Sequence, residues 1–328
     1  MKQPTGSRRY PDTSLRGTGI LGARVKPATA LVLILVLCPI LNPASIQKRP
    51  PENSSEPKKD MPTLMREAEE GNAEAMYVLG TRYQFGTDVE KNGAMAESWY
   101  LKAIEKGHMR ALTNLGGMYF AGDGVPQDVQ KAAQLYERAA ERGEPVAQMN
   151  LGSMYLYGVG VEKDMEKAAK WNLKAAEQGL PRAQYTIGLM YYQGLGVPKD
   201  VGEARKWYER AAAQGQERAL NNLGKLYDDG EGVEQDLAKA VELFRAAAEK
   251  GHATAQLNVG RMYLNGRGVE RDAVTAYMWF LLAKKNGDPK APAVLQVVAS
   301  TLTAEQVAEA EKRAAEWEDA HRPNRPTQ

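Results

Sequence analysis

Cysteine is nearly absent. The only one in 328 residues is Cys38, and it lies inside an apolar run. The chain beyond it has no disulfide framework, no thiolate metal site and no cysteine nucleophile. Histidine is almost as scarce, with only His108, His252 and His321. Three widely separated imidazoles give no acid–base or metal-binding constellation, so no cofactor or metal is expected. Charge of one sign is also lacking, at 43 Lys or Arg against 41 Asp or Glu. Six of the bases (Lys2, Arg8, Arg9, Arg16, Arg24, Lys26) precede residue 47 with one acid, Asp12, which leaves 37 basic and 40 acidic residues beyond. A mildly acidic body argues against nucleic acid, whose binding rests on clustered positive charge.

The apolar run covers residues 28–41 (ATALVLILVLCPIL), 14 residues without a charge. A membrane-spanning helix needs about 20, and Pro39 would disturb one. Scattered positive charge before the run and a Pro/Ser-rich stretch after it give the plan of a secretory signal. No small-x-small cleavage site follows, since the chain continues Asn42-Pro43-Ala44-Ser45. Residues 1–45 are therefore expected to be either a signal peptide or an uncleaved N-terminal anchor, and this segment is the only expected membrane contact. The protein would be exported, and either periplasmic or tethered to the inner membrane. Residues 46–60 include QKRPPENSSEPKKD, where no apolar side chain exceeds proline, and they are expected to be a disordered linker.

From residue 71 the chain repeats with a fixed period of 36. One glycine series runs Gly71, Gly107, Gly143, Gly179, Gly215, Gly251 and Gly287; a second runs Gly80, Gly116, Gly152, Gly188, Gly224 and Gly260. Three residues after the second series stand Tyr83, Tyr119, Tyr155, Tyr191, Tyr227 and Tyr263. A small-residue column (Ala96, Ala132, Ala168, Ala204, Ala240, Ala276) is followed three later by Trp99, Leu135, Trp171, Trp207, Leu243 and Trp279. Each copy divides into two helical stretches. In the third, helix A is expected at about 145–157 and helix B at about 165–178, separated by the Gly-x-Gly-Val turn 158–161 and closed by Gly179. Gly152 and Ala168 are small where two backbones should cross, and Tyr155 and Trp171 are expected to fill the space between neighbours. Neither helix alone can bury its apolar stripe, so copies must stack.

The third copy, AQMNLGSMYLYGVGVEKDMEKAAKWNLKAAEQG, resembles the Sel1-like repeat family, a relative of the tetratricopeptide repeats, nearly throughout. The resemblance covers about residues 61–317. It implies an all-α fold, a right-handed α/α superhelical solenoid of six 36-residue helix pairs with terminal capping helices. A half repeat and six full repeats would occupy 61–287, capping helices 288–318, and a disordered tail 319–328. The first copy departs at Phe85-Gly86-Thr87-Asp88-Val89, and Thr303 with Gln306 reads as a capping box.

Two motifs could be mistaken for chemistry. The Gly-x-Gly-Val turns follow helices and lack a P-loop lysine, so their recurrence reads as turn geometry. Ser45-Ile46-Gln47-Lys48 spells S-x-x-K in the linker, with no K-T-G downstream. No nucleophile, base and orienter converge, which points away from an enzyme.

In tetratricopeptide repeats helix A lines the concave groove, and the residue two before the repeat glycine can face a ligand. Here that column reads Val78, Asn114, Asn150, Thr186, Asn222, Asn258. A carboxamide offers both donor and acceptor, so this ladder can pair with an extended peptide backbone, or each asparagine can bond a neighbouring helix. Adjacent columns make Tyr77, Met149, Tyr185 and Leu189 an apolar first half, extended by Tyr157 and Tyr192. Lys225, Asp228, Asp229 and Arg261 make a charged second half. The expected function is a non-enzymatic scaffold binding a protein or peptide partner. The alternative is a cell-wall protein or enzyme accessory whose tyrosines stack on the sugars of peptidoglycan.

Overall fold

The computed structural model describes residues 59–321, which form fifteen helices without a strand. The apolar run and most of the linker lie outside these residues, as do the last seven. Helix α1 (Met61–Glu69) precedes six A/B pairs. These are α2 (Ala73–Phe85) with α3 (Gly93–Glu105), α4 (Met109–Ala121) with α5 (Val129–Glu141), and α6 (Pro145–Tyr157) with α7 (Met165–Glu177). Next come α8 (Pro181–Gln193) with α9 (Val201–Ala213), α10 (Glu217–Asp229) with α11 (Leu237–Glu249), and α12 (Ala253–Asn265) with α13 (Ala273–Lys285). Two closing helices follow, α14 (Ala291–Ala299) and α15 (Ala304–Ala320). Each helix packs chiefly on its neighbours in sequence, giving the paired-helix solenoid.

Every B helix begins on a side-chain cap. Asn92, Asp128, Asp164, Asp200, Asp236 and Asp272 each accept from the N–H three residues on, at 2.8–3.0 Å. Each such cap contributes about 1 kcal/mol. Within a pair, a large ring from helix B lies across the glycine of helix A. Tyr100, Tyr136, Tyr208, Phe244 and Phe280 are almost wholly buried, and a Cβ added to Gly80 would stand 2.6 Å from the Tyr100 ring. These rings follow by one residue the Trp/Leu column, of which Trp99, Leu135, Trp207 and Trp279 are also buried, while Trp171 is half-buried with Lys174 over its ring at 4.7 Å. Both columns therefore contribute to the interior: the rings at the glycine crossings fill its centre, and Trp171 and Tyr155 pack against it from the side.

Repeats are tied to one another by the A–B turns. The second glycine of each turn sits against the start of the preceding B helix, where a Cβ on Gly196 would stand 1.9 Å from Met165 O. A glutamine column adds to this. Gln178 Nε2 donates to Gly143 O (3.0 Å) and Gln148 Oε1 (2.8 Å), and Gln214 repeats the pattern with Gly179 and Gln184.

The third repeat breaks the ring column with Asn172, fully buried over Gly152. Its Nδ2 donates to Ala168 O at 2.9 Å, and its Oδ1 has no partner. The buried apolar residues accordingly divide into three groups, with a small alanine- and methionine-rich one around α7 and α8.

The ends are built differently. Asp60 caps α1, and Arg82 donates to Lys59 O, so the last two residues of the expected linker are anchored to the fold. In the divergent first turn Asp88 takes a glycine's place at φ 59°, and its carboxylate lies 3.3 Å from Arg82. At the other end Thr303 and Gln306 form the capping box, and Trp317 packs edge-on against Trp279 at 5.7 Å. Helix α15 continues to Ala320, two residues into the expected disordered tail, and His321 caps it.

Candidate functional site

The A helices place the asparagine column partly inside the fold. Asn114 Nδ2 donates to the hydroxyls of Tyr77 (3.3 Å) and Tyr100 (3.2 Å), and Asn222 Nδ2 donates to Tyr208 Oη (3.3 Å). The same register joins an asparagine to the B-helix ring of the preceding repeat each time, 14 residues earlier in sequence. Asn150 is buried, and its Nδ2 and the nearby Tyr136 Oη both lack a hydrogen-bond partner. Thr186 faces the register of Asn172 and turns its hydroxyl back to Arg182 O at 2.9 Å. Asn258, whose register partner is Phe244, donates instead to Asn221 Oδ1 at 3.0 Å.

The flanking candidates split along the chain. Tyr77 and Met149 are buried, while Tyr185, Leu189, Tyr157 and Tyr192 are half-buried. Burial raises the Tyr77 and Tyr185 pKa values, so both phenols stay neutral at physiological pH. Tyr192 Oη donates to Glu231 Oε2 at 2.7 Å, and Asp228 pairs with Arg267 at 2.7 Å. Each bond ties the last turn of an A helix to the A–B turn of the next repeat. Gln84 with Asp123 is a third example. Burial raises the Asp228 carboxyl above the usual range despite Arg267. Lys225, Asp229 and Arg261 are exposed.

The columns that sequence reasoning passed over are the glutamines and the B-helix rings. Both carry the same 36-residue period, and they stood beside the columns already recognised.

Two of the three histidines cap A helices. His108 Nδ1 accepts from Ala111 N at 3.2 Å, its ring stacks on Tyr77 at 4.3 Å, and its Nε2 meets Glu74 at 2.9 Å. His252 Nδ1 accepts from Ala255 N at 3.1 Å. Burial first, and then the Arg218 guanidinium, hold the His252 pKa below its ordinary value, against smaller opposing effects of Glu217 and Asp288. With the folded pKa depressed, the neutral cap stabilises fully above about pH 6.5 and loses that contribution as pH falls. His252→Asn keeps a cap of the kind Asn72 provides for α2. Thermal melts should show wild type losing more stability than this variant between neutral and mildly acidic pH. Parallel losses would exclude the ring as the titrating group.

With six helix pairs in one register, the sequence matches the Sel1 repeat model six times, at residues 73–108, 110–144, 145–180, 181–216, 217–252 and 253–288. The chain is a Sel1 repeat protein. It is similar to a protective antigen present in uropathogenic Escherichia coli strains that displays the same fold. That likeness is 36% identical with a TM-score of 0.71, over 79% of this chain and 56% of the antigen, so the chain spans just over half of that protein. It is also similar to a Sel1 repeat protein from Oxalobacter formigenes, 31% identical with a TM-score of 0.64, over 77% of this chain and 99% of that one. No curated protein matches it. Sel1 repeats are typically non-enzymatic protein-interaction scaffolds, and the paired-helix architecture here is of that kind. No helix among the described residues is long and apolar enough to cross a membrane.

Proposed function

We propose that this Sel1 repeat protein is a non-enzymatic scaffold that holds an extended segment of a protein partner along its A-helix face. It is exported by its N-terminal segment, and is either periplasmic or tethered to the inner membrane. The observation that supports the binding face is the change of character along one column. Three residues after the asparagine position stand Thr81, Gly117 and Ser153, the last two buried, and then the half-buried Leu189 and the exposed Lys225 and Arg261. A fold that needed only stacking would have no reason to vary this position from small to large and charged. Leu189, Lys225 and Arg261 make no side-chain bond that stabilises the solenoid, so their identity is available for recognition.

The burial and covering of the repeat aromatics support the peptide reading over sugar stacking: Trp99, Trp207, Tyr119 and Tyr227 are buried and Trp171 is half-buried. Lys102, Lys174 and Arg210 lie over Trp99, Trp171 and Trp207 at 4.0–4.7 Å. Lys131 and Lys239 cover Tyr119 and Tyr227 at 3.9 and 4.1 Å. Faces already carrying a cation are poorly placed to receive a pyranose.

The test is affinity capture from an envelope extract with the full chain as bait. One protein should be retained specifically and lost about tenfold in Leu189→Asp/Lys225→Asp. It should be unaffected by Lys170→Asp, a change on the exposed side of α7. Retention on peptidoglycan with no protein captured would overturn the scaffold reading.

A further inference from the structure

We infer that the face shared by α10 and α12 receives the carboxylates of an acidic stretch in the bound segment. This rests on the scaffold reading above and names the chemistry of its ligand. Arg218, Asn222 and Lys225 are spaced four and three residues apart on α10, which places them on one helical face. Asn258 and Arg261 occupy the registers of Asn222 and Lys225 one repeat later, on α12. The five side chains therefore form two neighbouring stripes on adjacent A helices.

The cations are uncompensated. None of Arg218, Lys225 and Arg261 closes an ion pair within the described residues, whereas the charges at the nearby turns do. Asp228 is held by Arg267 at 2.7 Å, and Glu231 lies 3.8 Å from Lys199. Arg218 instead stands beside the Tyr185 hydroxyl. The acids on α10 sit at its ends, Glu217 at the start and Asp228 and Asp229 in the last turn. A carboxylate is thus attracted at the level of residues 218–225 and repelled beyond it, which fixes where it can sit.

The floor between the stripes is a chain of carboxamides. Asn258 Nδ2 donates to Asn221 Oδ1 (3.0 Å), Asn221 Nδ2 to Asn222 Oδ1 (3.3 Å), and Asn222 Nδ2 to Tyr208 Oη (3.3 Å). Each amide nitrogen carries two hydrogens and uses one in this chain. Asn222 also bonds the Tyr185 hydroxyl, so the half-buried Asn258 is the amide of this chain with a donor to spare. Guanidinium and ammonium groups beside a spare amide donor suit a carboxylate, which accepts at both oxygens. Arg110 and Asn114 repeat the Arg218 and Asn222 part beside Tyr77, but the column of Lys225 and Arg261 reads Thr81, Gly117, Ser153 and Leu189 in the first four repeats, so the added cation is confined to repeats five and six. The bound segment would place its acidic residues over repeats five and six and its apolar residues toward Tyr185 and Leu189.

A degenerate octapeptide library, incubated with the immobilised full chain and sequenced after washing, tests this. The retained pool should be enriched in Asp and Glu, and retention should fall about tenfold as ionic strength is raised. Lys225→Glu/Arg261→Glu should reverse the enrichment toward Lys and Arg. Both side chains are exposed and unbonded, so the far-ultraviolet spectrum and melting temperature should not change. A retained pool without acidic enrichment, or one unaltered by the double reversal, would overturn this inference and leave the scaffold reading standing. A pool that is not retained at all would fail both.

Discussion

Gly196→Ala is expected to cost about 3–5 kcal/mol and to part the solenoid between its third and fourth repeats. Two effects combine at this residue. Its φ of 69° is left-handed, which costs an L-residue about 1–2 kcal/mol. The added methyl would also lie 1.9 Å from Met165 O and 2.3 Å from Met165 C, both backbone atoms at the start of α7. Backbone cannot swing aside as a flexible side chain can, so the turn must lift from α7 and surrender the inter-repeat contact. Gly179→Ala supplies the comparison. It has φ 89° but nothing within 4 Å of the added carbon, so only the conformational cost applies. Denaturant unfolding of both variants should separate them by at least about 2 kcal/mol. Equal losses would show that the close approach at residue 196 relaxes without consequence.

Tyr100→Ala is expected to cost a further class of energy, about 3–5 kcal/mol from cavity and lost burial. The ring is fully buried against Gly80, and its hydroxyl donates to Gln84 Oε1 at 2.8 Å while accepting from Asn114. Burial pushes the phenol pKa well above its ordinary value, so the group remains a donor at physiological pH. Tyr100→Phe keeps the ring and should cost about 1–3 kcal/mol by stranding Gln84, which is itself buried. The difference between the two variants, measured in one denaturant series, apportions ring packing and hydrogen bonding. If Tyr100→Phe proved as harmful as Tyr100→Ala, the hydroxyl network rather than the ring would hold the first repeat.

The fold was legible in the sequence because stacking writes itself at a fixed interval. Gly152 and Gly188 announce a close crossing, and the Gly-x-Gly-Val turns announce where each A helix must stop. What crosses the glycine was harder to read. Trp171 is larger and more conspicuous than its neighbour at 172, yet a rotation of one residue around helix B decides which side chain faces inward. Apolar size alone does not report that rotation. The asparagine column was legible as a pattern but not as a role, because a carboxamide serves a neighbouring tyrosine and a ligand backbone equally well. Only the distances to Tyr100 and Tyr208 show that part of its donor capacity is used within the fold. The histidines were separated correctly by register, but their work as helix caps depends on ring orientation, which sequence does not carry. The exposed Lys225 and Arg261 stood out in sequence because nothing apolar was required of their position.

Asn172 makes one junction of the array chemically unlike the rest, which its regular period conceals. Five of the six repeats hand the next element a ring of about the same shape, and any of those units could be followed by another. The third hands on an amide, and the fourth meets it with Thr186, whose hydroxyl is turned away to its own helix. This junction therefore carries neither the buried ring nor the asparagine bond of the junction that follows it, and Asn172 Oδ1 is left without a partner there. Removing the fourth in phase would keep the spacing of 36 and bring Asn222 to the register of Asn172, setting an amide donor against the oxygen that now has no partner.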